Sequence, residues 1–232
     1  GAYSSRAAEI CEYYGLPFIN LKFPIDERPS LEQIEQILKE NQDIALVYIT
    51  HNETGTGILN PIREIGALAH AYGAIFVVDT TSTYAMRPIN IKNDNIDFCM
   101  ASAQKGLMAM TGISFVVGKR TIIEQSKTYP KRSYYCNLYM QYHYFEAHGE
   151  MHFTPPVQTV YAMRQAIKEY FAEGEQKKWE RHTRVFEALH KGIERLGFQN
   201  IIKRDWQAGL VVTVKYPDDP NWSFSAIHDY CY

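Results

Sequence analysis

The chain has 232 residues, 46% of them hydrophobic and 22% charged, with a formal net charge of −2. That length holds one large α/β domain or one and a half smaller ones, and the near-neutral charge leaves no basic footprint for nucleic acid. No apolar run approaches the roughly 20 residues needed to cross a bilayer, and the opening residues do not read as a secretory leader. Residues 4–14 carry a helical period closed by Gly15, and residues 16–23 read as a short apolar strand ended by Pro24. Ser30, with Gln33 three positions on, opens a helix through a capping box, and Leu31, Ile34, Ile37 and Leu38 form its buried face. Residues 44–50 are almost all apolar, aromatic or β-branched, as a strand buried on both faces should be. Asn60 is placed to cap the next helix, with Pro61 at its first position, Gly73 at its end and an apolar stripe of Ile62, Ile65, Leu68, Ala69 and Tyr72.

Strands are predicted at 74–79, 97–103 and 113–118. Their alternation with helices is the signature of a mostly parallel sheet flanked by helices. Residues 134–145 crowd six large aromatics into a pattern that suits neither a helix face nor a strand face, as interfaces and pocket walls do. Thr154, Pro155 and Pro156 read as a capped start of a helix reaching about residue 172, and a second helix covers 175–196. A strand at 209–216 and a helix from Ser223 complete the pattern. We divide the chain near Gly174 into a large domain, 1–173, and part of a smaller α+β domain, 174–232. Both are expected to be incomplete, because Gly1 is not a methionine and the last helix stops in mid-course. Cys11, Cys99, Cys136 and Cys231 lack C-x-x-C spacing. That favours free thiols in a reducing cytoplasm over a disulfide framework or a zinc knuckle.

Three strand ends carry the chemistry. The run Ile75–Asp79 ends in an acid, the strand after it delivers Gln104 and Lys105 in a loop, and the strand at 44–50 is followed by the polar stretch 51–57. In an open α/β sheet ligands bind beyond the carboxyl ends of the strands, so Thr54, Asp79, Gln104 and Lys105 are expected along one edge. A lysine amine and a carboxylate there suit a pyridoxal phosphate site, and a buried Asp79–Lys105 ion pair is the alternative from spacing alone. Gly55 and Gly57 lack the third glycine of a dinucleotide fingerprint. His148 and His152, with Gly149 between them, read as a polar loop, so no metal ligand is assigned. No G-x-S-x-G elbow or P-loop lysine is present.

The segments 51–57 (HNETGTG), 77–82 (VVDTTS) and 102–106 (SAQKG) resemble the class V, fold type I, pyridoxal-phosphate aminotransferases. Within that class, 57–62 (GILNPI) and 152–156 (HFTPP) are most similar to the 2-aminoethylphosphonate–pyruvate transaminases. The resemblance implies that Lys105 is the Schiff-base lysine and that Asp79 pairs with the pyridine nitrogen. It further implies that Gln104 bonds the cofactor phosphate and that Thr54 lies near the phenolic oxygen. Thr154 would reach the phosphate in a neighbouring subunit, which implies a homodimer with shared active sites. An amino donor, 2-aminoethylphosphonate, and an acceptor, pyruvate, are the implied substrates. Alanine–glyoxylate or serine–pyruvate aminotransferases, and a non-catalytic α/β module, are the other readings. Members of the class are longer at both ends. The absent parts normally hold a phosphate loop, an aromatic stacked on the ring and a substrate-binding arginine.

Overall fold

A computed structural model describes residues 1–232. The first helices are α1 (Ala2–Tyr13) and α2 (Leu31–Glu40), followed by β1 (Leu46–Thr50), the short pair β2 (Asn52–Glu53) and β3 (Ile58–Leu59), and α3 (Ile62–Ala71). Strands β4 (Ile75–Asp79), β5 (Phe98–Ser102) and β6 (Ser114–Gly118) come next, then α4 (Arg120–Gln125), α5 (Leu138–His148), α6 (Val157–Glu173), α7 (Glu175–Arg195) and α8 (Phe224–Cys231). The main sheet has the order β1-β4-β5-β6. β1, β4 and β5 are parallel, and β6 runs antiparallel to β5. The mostly parallel sheet read from the sequence is therefore present.

The register explains which residues reach which face. Phe76 and Val78 of β4 join Cys99 of β5, Ile34 and Leu38 of α2, and Ile62, Ile65 and Ala69 of α3 in one buried cluster, with Val47 and Ile49 of β1 packed against it. Alternate residues point the other way. Tyr48 is opposite Val77, Thr50 opposite Asp79, and Asp79 opposite Met100, so Asp79 lies on the face away from α2 and α3. On that face α1 meets the end of β1, where the Ser4 hydroxyl donates to Thr50 Oγ1 at 2.9 Å.

Helix starts follow the side-chain chemistry in part. Ser30 accepts from the Gln33 N–H and caps α2, as its capping box predicts. Asn60 does not cap α3. Its buried amide donates to Thr50 O at 2.7 Å, and Pro61 takes the cap position without a side-chain bond. Thr154 makes no cap for α6 either. The stretch 134–145, read as suiting neither helix nor strand, is the entry to α5 followed by its first eight residues, and the Asn137 side chain caps the helix by accepting from the Met140 N–H.

Two predicted strands do not form. Residues 16–23 run without strand pairing, with Phe18 and Ile19 about half exposed at 45% and 49%. Residues 209–216 make a single bridge, between Asn200 and Val214. A strand is a pairwise object: residues 16–23 have no neighbour, and 209–216 meet 199–201 only around that bridge, with Ile201 N on Thr213 O at 3.1 Å and Lys215 N on Gln199 O at 2.8 Å, too short a pairing for a ladder. Residues 207–211 instead close over the β2–β3 pair. Ala208 N donates to Gly57 O at 2.8 Å, and a Cβ on Gly57 would lie 2.7 Å from Val211 O. Gly57 also has φ +84°, so only glycine serves there.

Candidate active site

The three loops that leave β1, β4 and β5 form one edge. Backbone bonds carry the ladder past the strand ends: His51 N to Asp79 O at 2.8 Å and Thr80 N to Met100 O at 2.9 Å. Side chains then join the loops. Asn52 donates to Ser82 Oγ at 2.9 Å, and Ser82 Oγ donates to Asn52 O at 3.3 Å. His51 Nδ1 and Thr83 Oγ1 share a hydrogen bond at 3.0 Å, and the Thr83 hydroxyl also lies 3.3 Å from Thr80 O. Burial drives the His51 pKa down to about 4, so its imidazole is neutral at pH 7.

The β4 and β5 loops meet at a point that admits no side chain. A Cβ on Gly106 would lie 1.9 Å from Tyr84 O and 2.7 Å from Met86 Cγ. Tyr84 is fixed in turn by its N–H on Thr80 O at 2.7 Å and by its ring against Phe115 at 4.9 Å. Within the lysine loop, Met108 N donates to Lys105 O at 2.9 Å and Ala109 N to Ala103 O at 3.0 Å. Of the three non-glycine residues with left-handed backbone, Ala85 and Met108, each at φ 60°, lie on the two loops that frame Lys105, and Asn95, at φ 58°, precedes β5. Strain of this kind, about 1–3 kcal/mol per residue, collects where a structure holds a functional geometry.

Gln104 and Lys105 are exposed on this edge, and Thr54 and Asp79 are half-buried. Thr154 is also exposed, in the link before α6, and bonds none of the other four. His152, two positions earlier, packs on Tyr144 at 4.5 Å and Phe153 at 4.5 Å, and His148 on Tyr144 at 4.4 Å.

The partners of Asp79 separate the two readings left open by spacing. The nearest comparison is Asp97, at the opposite end of the sheet. There Lys119 bonds one oxygen at 2.5 Å, while His70 at 2.9 Å and the Phe76 N–H at 2.7 Å share the other. Burial pushes the Asp97 pKa up, but these partners outweigh it and hold the carboxyl below its usual range. Asp79 has no such saturation. Thr81 N–H donates to Oδ1 at 2.8 Å, and the only contact of Oδ2 is a long one from Tyr48 O–H, at 3.5 Å. Neither Asp79 nor Lys105 takes part in an ion pair. The Asp79–Lys105 salt bridge is therefore not formed. Burial, and then the Asp79 charge, push the Tyr48 phenol up to about 12, so it remains a donor.

A carboxylate with a spare lone pair at one strand end, and an exposed lysine in the loop after the next, suit the α/β architecture of pyridoxal-phosphate transferases. A protonated ring nitrogen would satisfy Asp79 Oδ2, and an aldehyde would take up the Lys105 amine. The residues present fit the group.

Comparison with known proteins agrees. Residues 2–218 match the family Aminotransferase class-V. The chain belongs to the class-V aminotransferases, whose members depend on pyridoxal phosphate. It is 33% identical over 230 residues to 2-aminoethylphosphonate–pyruvate transaminase 1 of Cupriavidus pinatubonensis, covering 99% of this chain and 61% of that protein. It is 32% identical over 232 residues to a bifunctional phosphonoacetaldehyde hydrolase/aminoethylphosphonate transaminase of Clostridioides difficile, covering 99% of this chain and 36% of that protein. Among solved structures, alanine–glyoxylate aminotransferase from Nostoc superposes with a TM-score of 0.89 at 25% identity, over 96% of this chain and 59% of that one. The chain thus spans less than two thirds of the length of these relatives.

The sequence reading did not find the residues that hold the edge together. Tyr48 lies inside an apolar strand, and His51 and Thr83 signal no partnership across 32 positions. Asn52 and Ser82, each inside a segment that resembles the class, carried no assigned contact.

Proposed function

We propose that the protein to which this chain belongs is a transaminase that moves the amino group of 2-aminoethylphosphonate to pyruvate, giving phosphonoacetaldehyde and L-alanine. The observation that carries the reading is the pair of unpaired ionisable groups, Asp79 and Lys105, on adjacent loops of one sheet edge. The names of the relatives in Cupriavidus pinatubonensis and Clostridioides difficile support the choice of donor. The structural likeness to alanine–glyoxylate aminotransferase supports the second reading, an enzyme acting on α-amino acids.

In this reading Asp79 holds a proton on the pyridine nitrogen, since an opposite charge favours the charged form. Lys105 would hold the cofactor through its amine and, once free, would serve as the base that takes the proton from the donor carbon. Gln104 would bond the cofactor phosphate, and Thr54 would sit near the phenolic oxygen. Bound pyridoxal phosphate supplies a ring that withdraws the electron pair left on the donor carbon. The division into 1–173, which carries these groups, and 174–232 is part of the proposal.

Thr154 would serve the phosphate in the site of a second copy. A homodimer is part of the proposal. Exposed Tyr134, Tyr135, Phe145 and Tyr161 lie on and around α5 and the start of α6. A cytoplasmic enzyme is proposed, from the free thiols.

The test uses the full-length protein. It should be yellow, and borohydride should fix the cofactor to Lys105. 2-Aminoethylphosphonate should convert the visible band to that of the pyridoxamine form, and pyruvate should restore it. Conversion by alanine or serine but not by the phosphonate would favour the second reading. A colourless protein would refute both.

A further inference from the structure

A buried lysine on α7 is used by none of these steps. Lys178 is 3% exposed, and its ammonium donates to Gly106 O at 2.5 Å. Tyr170 of α6 offers its ring face to the same ammonium at 5.2 Å. No carboxylate pairs with it, and burial pushes its pKa below the usual lysine value. A lysine in such a place forfeits most of its hydration, which a single carbonyl and a ring restore only in part. A packing role alone would be met by methionine or leucine.

The bonded carbonyl belongs to the residue directly after Lys105. On its other side Gly106 abuts Tyr84 O. The lysine loop is thus gripped between the 80–87 turn and α7. The next residue on α7 repeats the arrangement for the other loop: Trp179 lies under the Arg87 guanidinium at 5.4 Å.

We infer that Lys178 is a positioning residue for Lys105, its buried ammonium fixing the 103–112 loop through the Gly106 carbonyl. The inference rests on Lys105 being the cofactor lysine. It assigns α7 a part in the reaction although α7 contributes no group that touches the substrate.

The test compares Lys178→Met with Lys177→Met in the full-length protein, since Lys177 is exposed on the same helix and its loss changes net charge equally. Amide exchange is read in the apo form, at Met108 and Ala109, whose N–H groups close the loop. In Lys178→Met these amides should exchange at least about 10-fold faster while those of β4 are unchanged. In the loaded enzyme kcat should fall about 10- to 100-fold, with the KM for the amino donor within about twofold. Lys177→Met should match the parent in every readout. Should Lys178→Met fail to fold, Lys178→Arg serves, because a guanidinium is too long for this gap and displaces the same loop. A Lys178 variant that equals Lys177→Met in either loop exchange or kcat overturns the inference, as does exchange that quickens equally in β4. If borohydride leaves Lys105 of the parent unlabelled, the cofactor reading falls and this inference with it. A labelled parent with an unaltered variant defeats this inference alone.

Discussion

Replacing Gly106 by alanine tests whether the β4 and β5 loops set the position of Lys105. The new Cβ would stand 1.9 Å from Tyr84 O, where contacts under 3.0 Å are essentially never found, so one loop must retreat by about 1.1 Å. Met86 Cγ, at 2.7 Å, can swing away at the end of a flexible side chain. Tyr84 O cannot, because its residue is held by a backbone bond and by the Phe115 ring. The lysine loop therefore moves, and the bond from Lys178 to Gly106 O moves with it. Overpacking of this kind costs about 1–3 kcal/mol of stability, and a misplacement near 1 Å at a reacting group costs about 100-fold in rate. Steady-state kcat and borohydride labelling of Lys105 in the full-length protein measure the result. Gly106→Ala is expected to keep its fold and lose about 100-fold in kcat. A variant within twofold of the parent, with Lys105 labelled equally, would refute the reasoning.

Gly192, exposed on α7 with open space about its Cβ position, makes the contrasting case. Gly192→Ala should raise stability by about 0.5–1 kcal/mol in denaturant unfolding without altering kcat. Lys105→Ala should abolish turnover and borohydride labelling while the circular dichroism spectrum is unchanged. Asp79→Asn, which removes the charge and keeps the shape, should bind cofactor weakly and lose most of kcat. His51 predicts a pH effect on stability. Its pKa is depressed from 6.5 to about 4, so between those values the unfolded chain binds a proton that the native chain refuses, and stability falls as pH falls through that window. By pH 4.5 the loss from this one group is on the order of 2–3 kcal/mol relative to pH 7. His51→Gln should lack that part of the slope in urea unfolding at the two pH values.

Local chemistry made some of this structure legible. The α2 cap at Ser30, the apolar stripe of α3 and the strand ending in Asp79 are short-range patterns, and each has its expected place. The strand expected at 16–23 had the right residues and no partner, and partners are not written in a local pattern. Asn60 was read as a helix cap because of its neighbour Pro61, yet a buried carbonyl ten residues back claims its amide. The edge that carries Asp79 and Lys105 could be foreseen from strand order. The pairings His51–Thr83 and Lys178–Gly106 span 32 and 72 positions, and a single sequence carries no signal for either.

The main sheet ends in β1 on one side and in β6 on the other, each paired along a single edge. Each outer rim thus presents a row of amide and carbonyl groups without ladder partners, and the apolar residues of 16–23 lie unpaired and about half exposed. Unfinished rims recruit strands from whatever is at hand, including other copies. Produced alone at micromolar concentration, these 232 residues would self-associate edge to edge. A molecular mass measured on that material would report strand recruitment and not the association state of the full-length protein.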